Sequence, residues 1–351
     1  MKNNFQTIII ISLLGFLFNT GNAQENQKLA QSGFQFLSIV SDARAAAMAE
    51  AMTSLQFGSS SLFFNPAGMA EMTGIVDASA SINQWIADIN HNSLSLAIKP
   101  FEGNYGVVGF SVQYVDYGDF YGTRVNLSSP QGYDDTGIFN LNALAIGVGY
   151  AKQLTDRFSV GGQVRWVRQS LGESMIANNT FTDTSGNRFA DTSFVDNELT
   201  PFVFDFGTQF KTGLKSLVFG MSVRNFSAEY KYAEEGIQAP IVFTLGISMN
   251  VFDLTGEMPY DQSLYLSVDA SHHRDHPEQI KVGMEYKILK ILSLRGGYTS
   301  TSNIDEHNGL SFGVGLSQFG FAFDYSYTPY GIFDKVQRFT ARFSLDDIFS
   351  K

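Results

Sequence analysis

The sequence predicts an all-β fold, a 14-stranded antiparallel transmembrane β-barrel with a short N-terminal helical plug in its lumen. Three observations support this prediction. Apolar side chains recur at every second residue through most of the chain after residue 74, as in strands whose two faces meet different surroundings. The connections between these segments alternate between long polar loops and tight turns. Only 16% of the 351 residues are charged, whereas about 25% are charged in an ordinary soluble domain.

The first segment, residues 1–23, is typical of a secretory signal peptide. Lys2 precedes an apolar run from Ile8 to Phe18, and small residues lead to the expected cleavage site after Ala23. The run is too short for a transmembrane helix, which needs about 20 apolar residues. We therefore expect the mature chain to be exported and to begin at residue 24. No later apolar run is long enough to span a bilayer as a helix.

The second segment, residues 24–74, is predicted to be a linker followed by a helical hatch. The chain from Asp42 to Met52 is rich in alanine, and Ser41 or Asp42 can cap the amino end of a helix. A second short helix is predicted near Pro66. Because this segment is too short to span a membrane and too small to fold alone, we predict that it packs inside the barrel.

The third segment, residues 75–345, carries the alternating pattern of the barrel. Near its end, for example, Phe339 and Ala341 share one face of a strand and Arg338 and Thr340 share the other. The predicted strands lie near residues 75–85, 92–99, 104–117, 141–153, 157–170, 202–211, 216–226, 240–250, 262–272, 279–288, 291–299, 310–317, 319–328 and 336–345. Residues 346–351 are predicted to be a carboxy-terminal tail.

The connections predict how the barrel is oriented. In chain order, one set of connections is often long and polar and includes residues 118–140 and 171–201, whereas the other set is mostly tight. Outer-membrane barrels have short periplasmic turns, longer extracellular loops and an even number of strands. We therefore predict a bacterial outer-membrane protein, surrounded by lipid, with its long loops outside the cell and both termini in the periplasm.

Alternation alone leaves a second interpretation open, a secreted soluble β-sandwich or propeller whose apolar face points inward. The signal peptide, the loop asymmetry, the low charge content and the aromatic residues near the predicted strand ends favour the membrane. The apolar faces of the clearest strands carry no Arg or Lys, each of which costs about 2–4 kcal/mol at the bilayer midplane.

In a barrel, the second face of each strand lines the lumen, and here it carries charges of both signs. These lumen residues are Arg165, Asp205, Arg224, Asp269, Lys281, Glu285, Arg295, Asp324, Arg338 and Arg342. We interpret them as a salt-bridged network that stabilises the wall and fixes the hatch, in preference to a selectivity filter or a catalytic cluster.

Composition and motifs argue against several functions. The absence of cysteine excludes disulfides, thiolate metal sites, a cysteine nucleophile and a lipoprotein anchor. A net charge of -11 makes nucleic acid an unsuitable partner. We find no nucleophile elbow, phosphate loop or calcium loop, and we therefore predict neither an enzyme nor a cofactor. Residues 271–277 contain three histidines, which we interpret as solvated loop residues rather than metal ligands.

Several short motifs, in this order and spacing, resemble the PorV/PorQ family of outer-membrane proteins. At the amino end they are residues 33–37, 42–44 and 63–68, and further matches lie at residues 281–286, 294–298 and 323–329. That family is similar in turn to FadL-like long-chain fatty-acid transporters, whose hatch also carries an Asn-Pro-Ala motif. One departure is Ala47-Met48-Ala49, where relatives usually have Gly-Met-Gly, and alanine there favours a continuing helix.

The resemblance implies a fourteen-stranded outer-membrane barrel that works with the type IX secretion system. Its partner would be secreted cargo or a subunit of the secretion system, and we expect residues 118–140 and 171–201 to bind it. The FadL-like similarity implies instead that a hydrophobic solute passes through the barrel. Both functions remain open from the sequence.

The resemblance assigns Asn65, Pro66 and Ala67 to a hatch motif. Pro66 restrains Asn65 to extended backbone, so the Asn65 side chain is placed to cap the following helix. The motif therefore has two interpretations, a gating element or an ordinary capped helix start.

Overall fold

The computed structural model describes residues 32–125, 129–182, 184, 188–231, 236–255, 260–300, 309–333 and 335–345. The predicted signal peptide, residues 24–31 of the linker and the tail at 346–351 lie outside these residues. Within the described ranges, no helix is long and apolar enough to cross a membrane.

The described part of the chain contains seventeen strands and eight short helices. The strands are β1 Val76–Gln84, β2 Asn90–Ile98, β3 Val107–Val125, β4 Tyr133–Thr155, β5 Phe158–Thr182, β6 Arg188–Leu199, β7 Phe202–Lys211, β8 Val218–Ser227, β9 Tyr230–Lys231, β10 Gly236–Ile237, β11 Val242–Asn250, β12 Gln262–His273, β13 Gln279–Ile288, β14 Leu292–Ser300, β15 Leu310–Gln318, β16 Phe321–Pro329 and β17 Lys335–Ser344. The helices are one α-helix, Ala43–Ala47, and seven 3-10 helices, Gln35–Ser38, Gly58–Phe63, Pro66–Met69, Ile86–Asp88, Pro100–Gly103, Val251–Leu254 and Gly331–Phe333.

Fourteen of the described strands form a closed antiparallel wall, which confirms the predicted fold class. Each wall strand pairs with the wall strands that precede and follow it in the chain, and β1 also pairs with β17. The remaining three, β6, β9 and β10, lie in connections at the long-loop end. Closure satisfies the backbone N–H and C=O groups of every wall strand without leaving a free edge in the membrane.

Burial alternates along the wall in the predicted sense. On β17, Arg338 is 4% exposed and Thr340 is 3% exposed, whereas Phe339 between them is 47% exposed. On β1, Ser81 is buried while the neighbouring Ile82 lies on the outer surface. A soluble sandwich would bury the apolar face instead. The apolar residues therefore face lipid and the polar residues face the lumen.

Three neighbouring strands are much longer than a membrane crossing requires. A strand crosses in about 9–11 residues, but β3, β4 and β5 contain 19, 23 and 25 residues. Their extra length projects at the long-loop end as two hairpins, β3 with β4 and β5 with β6. We call the described residues of these hairpins, 119–125, 133–140, 171–182 and 188–199, the crest.

The crest corrects the prediction that residues 118–140 and 171–201 are loops, because most of their described residues lie in strands. Period-two hydrophobicity marks strands that face lipid on one side and the lumen on the other. A hairpin beyond the membrane lacks that contrast, so its strands carry no such pattern. Register shifts between Asp116 and Asp119 in β3, and between Ser170 and Glu173 in β5, lie where the crest begins.

Candidate functional site: the hatch and the lumen network

Residues 33–74 pass through the lumen from one end to the other, and we call them the hatch. At the long-loop end, the Gly33 N–H donates to the Gln238 carbonyl oxygen over 2.9 Å. At the turn end, Lys99 Nζ donates to the Met72 carbonyl oxygen over 2.7 Å. The predicted start of the mature chain, residue 24, lies outside the described residues, so its periplasmic location stays a prediction. Strand β17 ends at the turn end, where we predicted the carboxy terminus.

The first part of the hatch packs as a small apolar core near the long-loop end. Phe34 and Phe36 are almost fully buried and pack with Val115, Val167 and Val203 of the wall. In the same region Gln35 Nε2 donates to Asp275 over 2.6 Å, and His276 Nδ1 lies 2.8 Å from the same carboxyl group. Burial raises the pKa of Asp275, but the hydrogen bonds from His276 and Gln35 outweigh it and lower the pKa overall.

The α-helix of the hatch begins as predicted but ends early. Asp42 is its N-cap, because its Oδ1 atom accepts the Ala45 N–H over 3.0 Å. Burial raises the pKa of this carboxyl group, although Arg342 and the Ala45 N–H partly oppose the shift. The helix ends at Ala47 rather than Met52, and Ala49 and Glu50 adopt positive φ angles of 50° and 64°.

The helix ends here because the backbone turns against two glycines of the wall. A Cβ atom on Gly283 would lie 2.5 Å from the Met48 carbonyl oxygen, and one on Gly297 would lie 2.6 Å from the Met48 carbonyl carbon. The prediction that Ala47-Met48-Ala49 continues the helix is therefore wrong. The close backbone approach is present, and the glycines that permit it lie in β13 and β14.

The Asn65-Pro66-Ala67 motif lies at the start of a 3-10 helix and is buried. Asn65 Oδ1 accepts the Ala67 N–H over 3.1 Å, so Asn65 caps the helix. Its Nδ2 atom donates to the Thr53 carbonyl oxygen over 2.7 Å and to the Thr208 carbonyl oxygen over 3.0 Å. Asn65 therefore joins two parts of the hatch to wall strand β7. A gating role for the motif stays a prediction.

Two wall glycines make room for this motif. A Cβ atom on Gly207 would overlap Asn65 Oδ1, and one on Gly161 would lie 2.5 Å from the Ala67 nitrogen. Both glycines lie on the lumen face of extended strands, so steric room and not backbone conformation explains them.

The ten predicted lumen residues all point inward, and the structure joins most of them to the hatch or to one another. Near the turn end, Glu285 accepts from Arg44 of the hatch at 2.8 and 3.0 Å and from Arg295 Nε at 2.6 Å. Arg295 Nη1 continues the chain to Asp324 Oδ1, also at 2.6 Å. Arg342 Nη2 lies 3.8 Å from Asp324 Oδ2.

A second cluster lies nearer the long-loop end. Arg165 makes a two-contact ion pair with Asp205, with both N–O distances at 2.8 Å. Asp205 Oδ1 also accepts the backbone N–H of Asn225 over 2.7 Å. Asn225 has a positive φ of 60° and lies opposite a register shift in β7, so the carboxylate binds the irregular backbone of β8. This cluster joins wall strands β5, β7 and β8 to one another and does not bind the hatch.

The remaining predicted residues bind hatch backbone and side chains. Lys281 Nζ lies 2.7 Å from Glu50 Oε2, and Asp269 accepts the Thr53 N–H over 3.0 Å. Arg338 Nε donates to the Val40 carbonyl oxygen over 2.9 Å, and Arg224 Nη1 donates to the Phe63 carbonyl oxygen. Burial raises the pKa of Glu50, but Lys281, with more distant help from Arg224 and Arg338, lowers it below its ordinary value overall.

The sequence identified the wall half of this network but missed the hatch half. Asp42, Arg44 and Glu50 were assigned to a helix and not to ion pairs. Phe57 was also missed, although the Arg44 and Arg342 guanidinium carbons lie 5.0 and 4.5 Å from its ring centroid. Hydrophobic periodicity is informative for strands, and it carries no signal for a short irregular segment whose partners come from every side.

The arrangement binds and fixes the hatch. Most of the lumen charges are buried and bind an opposite charge or a hatch carbonyl oxygen. No described group of three or more His, Asp or Glu residues could hold a metal ion. Comparison with known proteins is consistent with this architecture. A family model described as type IX secretion system protein PorV matches residues 22–257, about two-thirds of the chain.

The chain belongs to the PorV family.

Solved structures similar in fold to this PorV-family protein include channels and transporters. They include the CymD monoaromatic hydrocarbon channel, with a TM-score of 0.55 at 11% identity over 87% of this chain and 97% of that chain. The Ralstonia pickettii toluene transporter TbuX has a TM-score of 0.54 at 13% identity over 86% and 96% of the two chains. A Pseudomonas aeruginosa FadL homologue has a TM-score of 0.53 at 14% identity over 87% and 98%.

At these identities the likeness shows the fold alone. Among curated protein sequences, none matches the chain. Together, the PorV-family match, the closed fourteen-stranded wall and its apolar outer surface place the protein in the bacterial outer membrane, in contact with lipid.

Proposed function

We propose that this PorV-family protein is an accessory of the type IX secretion system that binds secreted cargo or a secretion subunit through its crest. The observation that carries the proposal is a set of exposed apolar side chains beyond the membrane-crossing part of the wall. Tyr121 is 80% exposed, Phe194 is 68% exposed and Ile138 is 61% exposed. Phe120 and Phe139 stack with their ring centroids 5.8 Å apart.

Exposed apolar patches outside the lipid are typical of protein interaction sites, and aromatic residues are enriched there. The crest is also acidic. Residues 118–140 and 171–201 contain eight Asp or Glu and only two Arg. This composition favours a partner with an apolar centre and a basic rim, because opposite charges at the edge of an interface accelerate association.

The test replaces crest side chains and leaves the wall unchanged. Tyr121→Ser and Ile138→Ser oppose each other across β3 and β4, and we expect the double variant to weaken copurification of cargo or secretion subunits at least about tenfold. The matched control is Leu214→Ser, an equally exposed apolar residue at the turn end. Heat-modifiable electrophoretic mobility checks that each barrel has folded. Normal copurification by a folded double variant would contradict the proposal.

A second candidate function is passage of a hydrophobic solute through the lumen. It is supported by the fold shared with the hydrocarbon and toluene channels. In the structure the hatch occupies the lumen and is bound to the wall along its length, so this function requires the hatch to move. Binding of cargo or of a secretion subunit at the crest does not require the hatch to move.

A reversible lock separates the two functions. Ser95 Oγ of β2 donates to Ser59 Oγ of the hatch over 2.8 Å, so Ser59→Cys with Ser95→Cys places two sulfur atoms in contact in a chain without native cysteine. The control disulfide, Thr244→Cys with Ser271→Cys, joins β11 to β12 and leaves the hatch free. If the hatch lock alone abolishes solute uptake, and dithiothreitol restores it, the channel function is supported. If the lock has no effect on cargo delivery, the crest function is supported, and loss of delivery would count against it.

A further inference from the structure

A cavity of about 600 Å³ opens at the turn end, between the hatch and the ends of the last strands. One wall is formed by Phe57, Met72 and Thr73 of the hatch, and the other by Lys287, Phe319 and Arg342. The cavity lies apart from the crest, and it adjoins the lumen network at Arg44 and Arg342.

The acidic groups of the cavity already have partners. Glu71 lies 2.6 Å from Lys211 Nζ and also binds Gln56, while Asp77 Oδ1 accepts the Ser59 N–H over 2.7 Å. The carboxylates that line the cavity are therefore not available to neutralise its cations.

The side chains of two cations that line the cavity make no hydrogen bond with the described residues. The Lys287 side chain makes no hydrogen bond or ion pair with the described residues. The Nε and Nη2 atoms of Arg342 are buried without a hydrogen-bond partner in the described chain, and the nearest carboxylate oxygens, on Asp324 and Asp42, are 3.8 and 3.9 Å from Nη2. A buried guanidinium without hydrogen bonds is costly. An oxyanion at this position would supply the missing acceptors.

Part of the rim of the cavity is apolar and reaches the lipid-facing surface. Leu289 is 53% exposed, Phe319 is 66% exposed and Phe321 is 49% exposed. These residues lie at the turns β13–β14 and β15–β16, which are the periplasmic edge of the apolar band. A ligand that carries an anion next to hydrocarbon chains matches both the cationic interior and this rim.

We propose that the cavity binds the phosphodiester headgroup of a phospholipid from the periplasmic leaflet. Lys287 and Arg342 contact the phosphate, and the acyl chains lie over Leu289 and Phe319. This inference is independent of the proposed secretion function, since it concerns the opposite end of the barrel. Free phosphate offers the same anion without the hydrocarbon, and the experiment distinguishes the two sources.

The probe is dihexanoyl phosphatidylglycerol, titrated calorimetrically into the detergent-purified full-length protein, with inorganic phosphate titrated in parallel. We expect Lys287→Gln to weaken binding of the lipid at least about fivefold, because it removes an unpaired cation. Thr73→Glu adds a negative charge at the exposed mouth of the cavity and should weaken binding similarly, whereas the neutral Thr73→Gln should not. Lys152→Gln, which removes a lysine at the same end but outside the cavity, serves as the control for nonspecific headgroup binding.

Lys287 and Thr73 are chosen because neither side chain makes a hydrogen bond with the described residues, so their replacement leaves the hatch contacts intact. Lipid binding that depends on Lys287 and Thr73, but not on Lys152, supports the proposal. Equal loss in Lys152→Gln, absence of lipid binding, or equal affinity for inorganic phosphate would each overturn it.

Discussion

At the scale of single residues, the lumen charges are explained by the atoms they bind. Arg338 and Arg224 donate to carbonyl oxygens of the hatch, Asp269 accepts one of its N–H groups, and Glu285 binds the hatch residue Arg44. An irregular segment cannot satisfy its backbone by ladder pairing, so the wall supplies the partners that a helix or strand would otherwise provide. These contacts support the interpretation of the lumen charges as a network that fixes the hatch rather than as a selectivity filter.

Asn65 provides the sharpest test at this scale. Asn65→Ala removes the cap of the Pro66–Met69 helix and the amide donors to the Thr53 and Thr208 carbonyl oxygens. We expect a loss of about 1–3 kcal/mol in the free energy of unfolding, because buried polar groups are left unpaired. Thermal unfolding in detergent measures it. The exposed Asn104→Ala is the control, and equal melting temperatures for both variants would refute the assigned role of Asn65.

At the scale of elements, the fourteen wall strands were predictable and the crest and the end of the hatch helix were not. Each wall strand meets lipid on one face and the lumen on the other, so its pattern appears in the chain itself. The crest strands meet similar surroundings on both faces. The hatch helix ends at Ala47 because Gly283 and Gly297, more than 230 residues later, bring the wall close to the backbone of Met48. The helix propensity of the local sequence, taken alone, favours a helix that continues past Ala47.

Replacement of wall glycines by alanine tests how closely the wall and the hatch approach each other. Gly207→Ala would place a Cβ atom onto Asn65 Oδ1, whereas Gly296→Ala meets no atom within 4 Å. We expect Gly207→Ala to cost about 1–3 kcal/mol through overpacking, and Gly296→Ala to leave the melting temperature nearly unchanged. Limited proteolysis should cut the hatch faster in Gly207→Ala only. Equal protection of the hatch in the two variants would count against tight packing at β7.

At the scale of the whole molecule, the barrel and the hatch form one structure. The wall buries polar side chains that require partners, and the hatch contributes backbone groups and charges that require them too. Ion pairs between the two, such as Lys281 with Glu50, therefore join the hatch to the wall. Pairs of this kind are screened by salt much less than exposed pairs, so the attachment should respond to pH more than to ionic strength.

The ion pair between Glu50 and Lys281 makes the stability of the folded state depend on pH. The pKa of Glu50 is lowered in the folded protein from its ordinary value of 4.5. The pair therefore stabilises the folded state at pH values above 4.5, and this contribution is lost as the pH falls through the lowered pKa. We expect the wild-type protein to melt at a higher temperature than Glu50→Gln at neutral pH, and the difference to disappear in acid. Melting temperatures followed by circular dichroism at each pH measure this, and a difference that persists unchanged in strong acid would contradict it.

The number of wall strands, the lipid-facing side of each strand and the charged residues of the lumen were all predictable from the order of the residues. These follow from alternation, because a membrane imposes the same contrast on every crossing strand. The three-dimensional fold was needed to show which hatch atom each charge binds and where the hatch helix ends. It was also needed to show that the long connections form paired strands and where a cationic cavity opens beside the lipid. Each of these depends on contacts between atoms far apart in the chain, and such contacts produce no periodic pattern in the sequence.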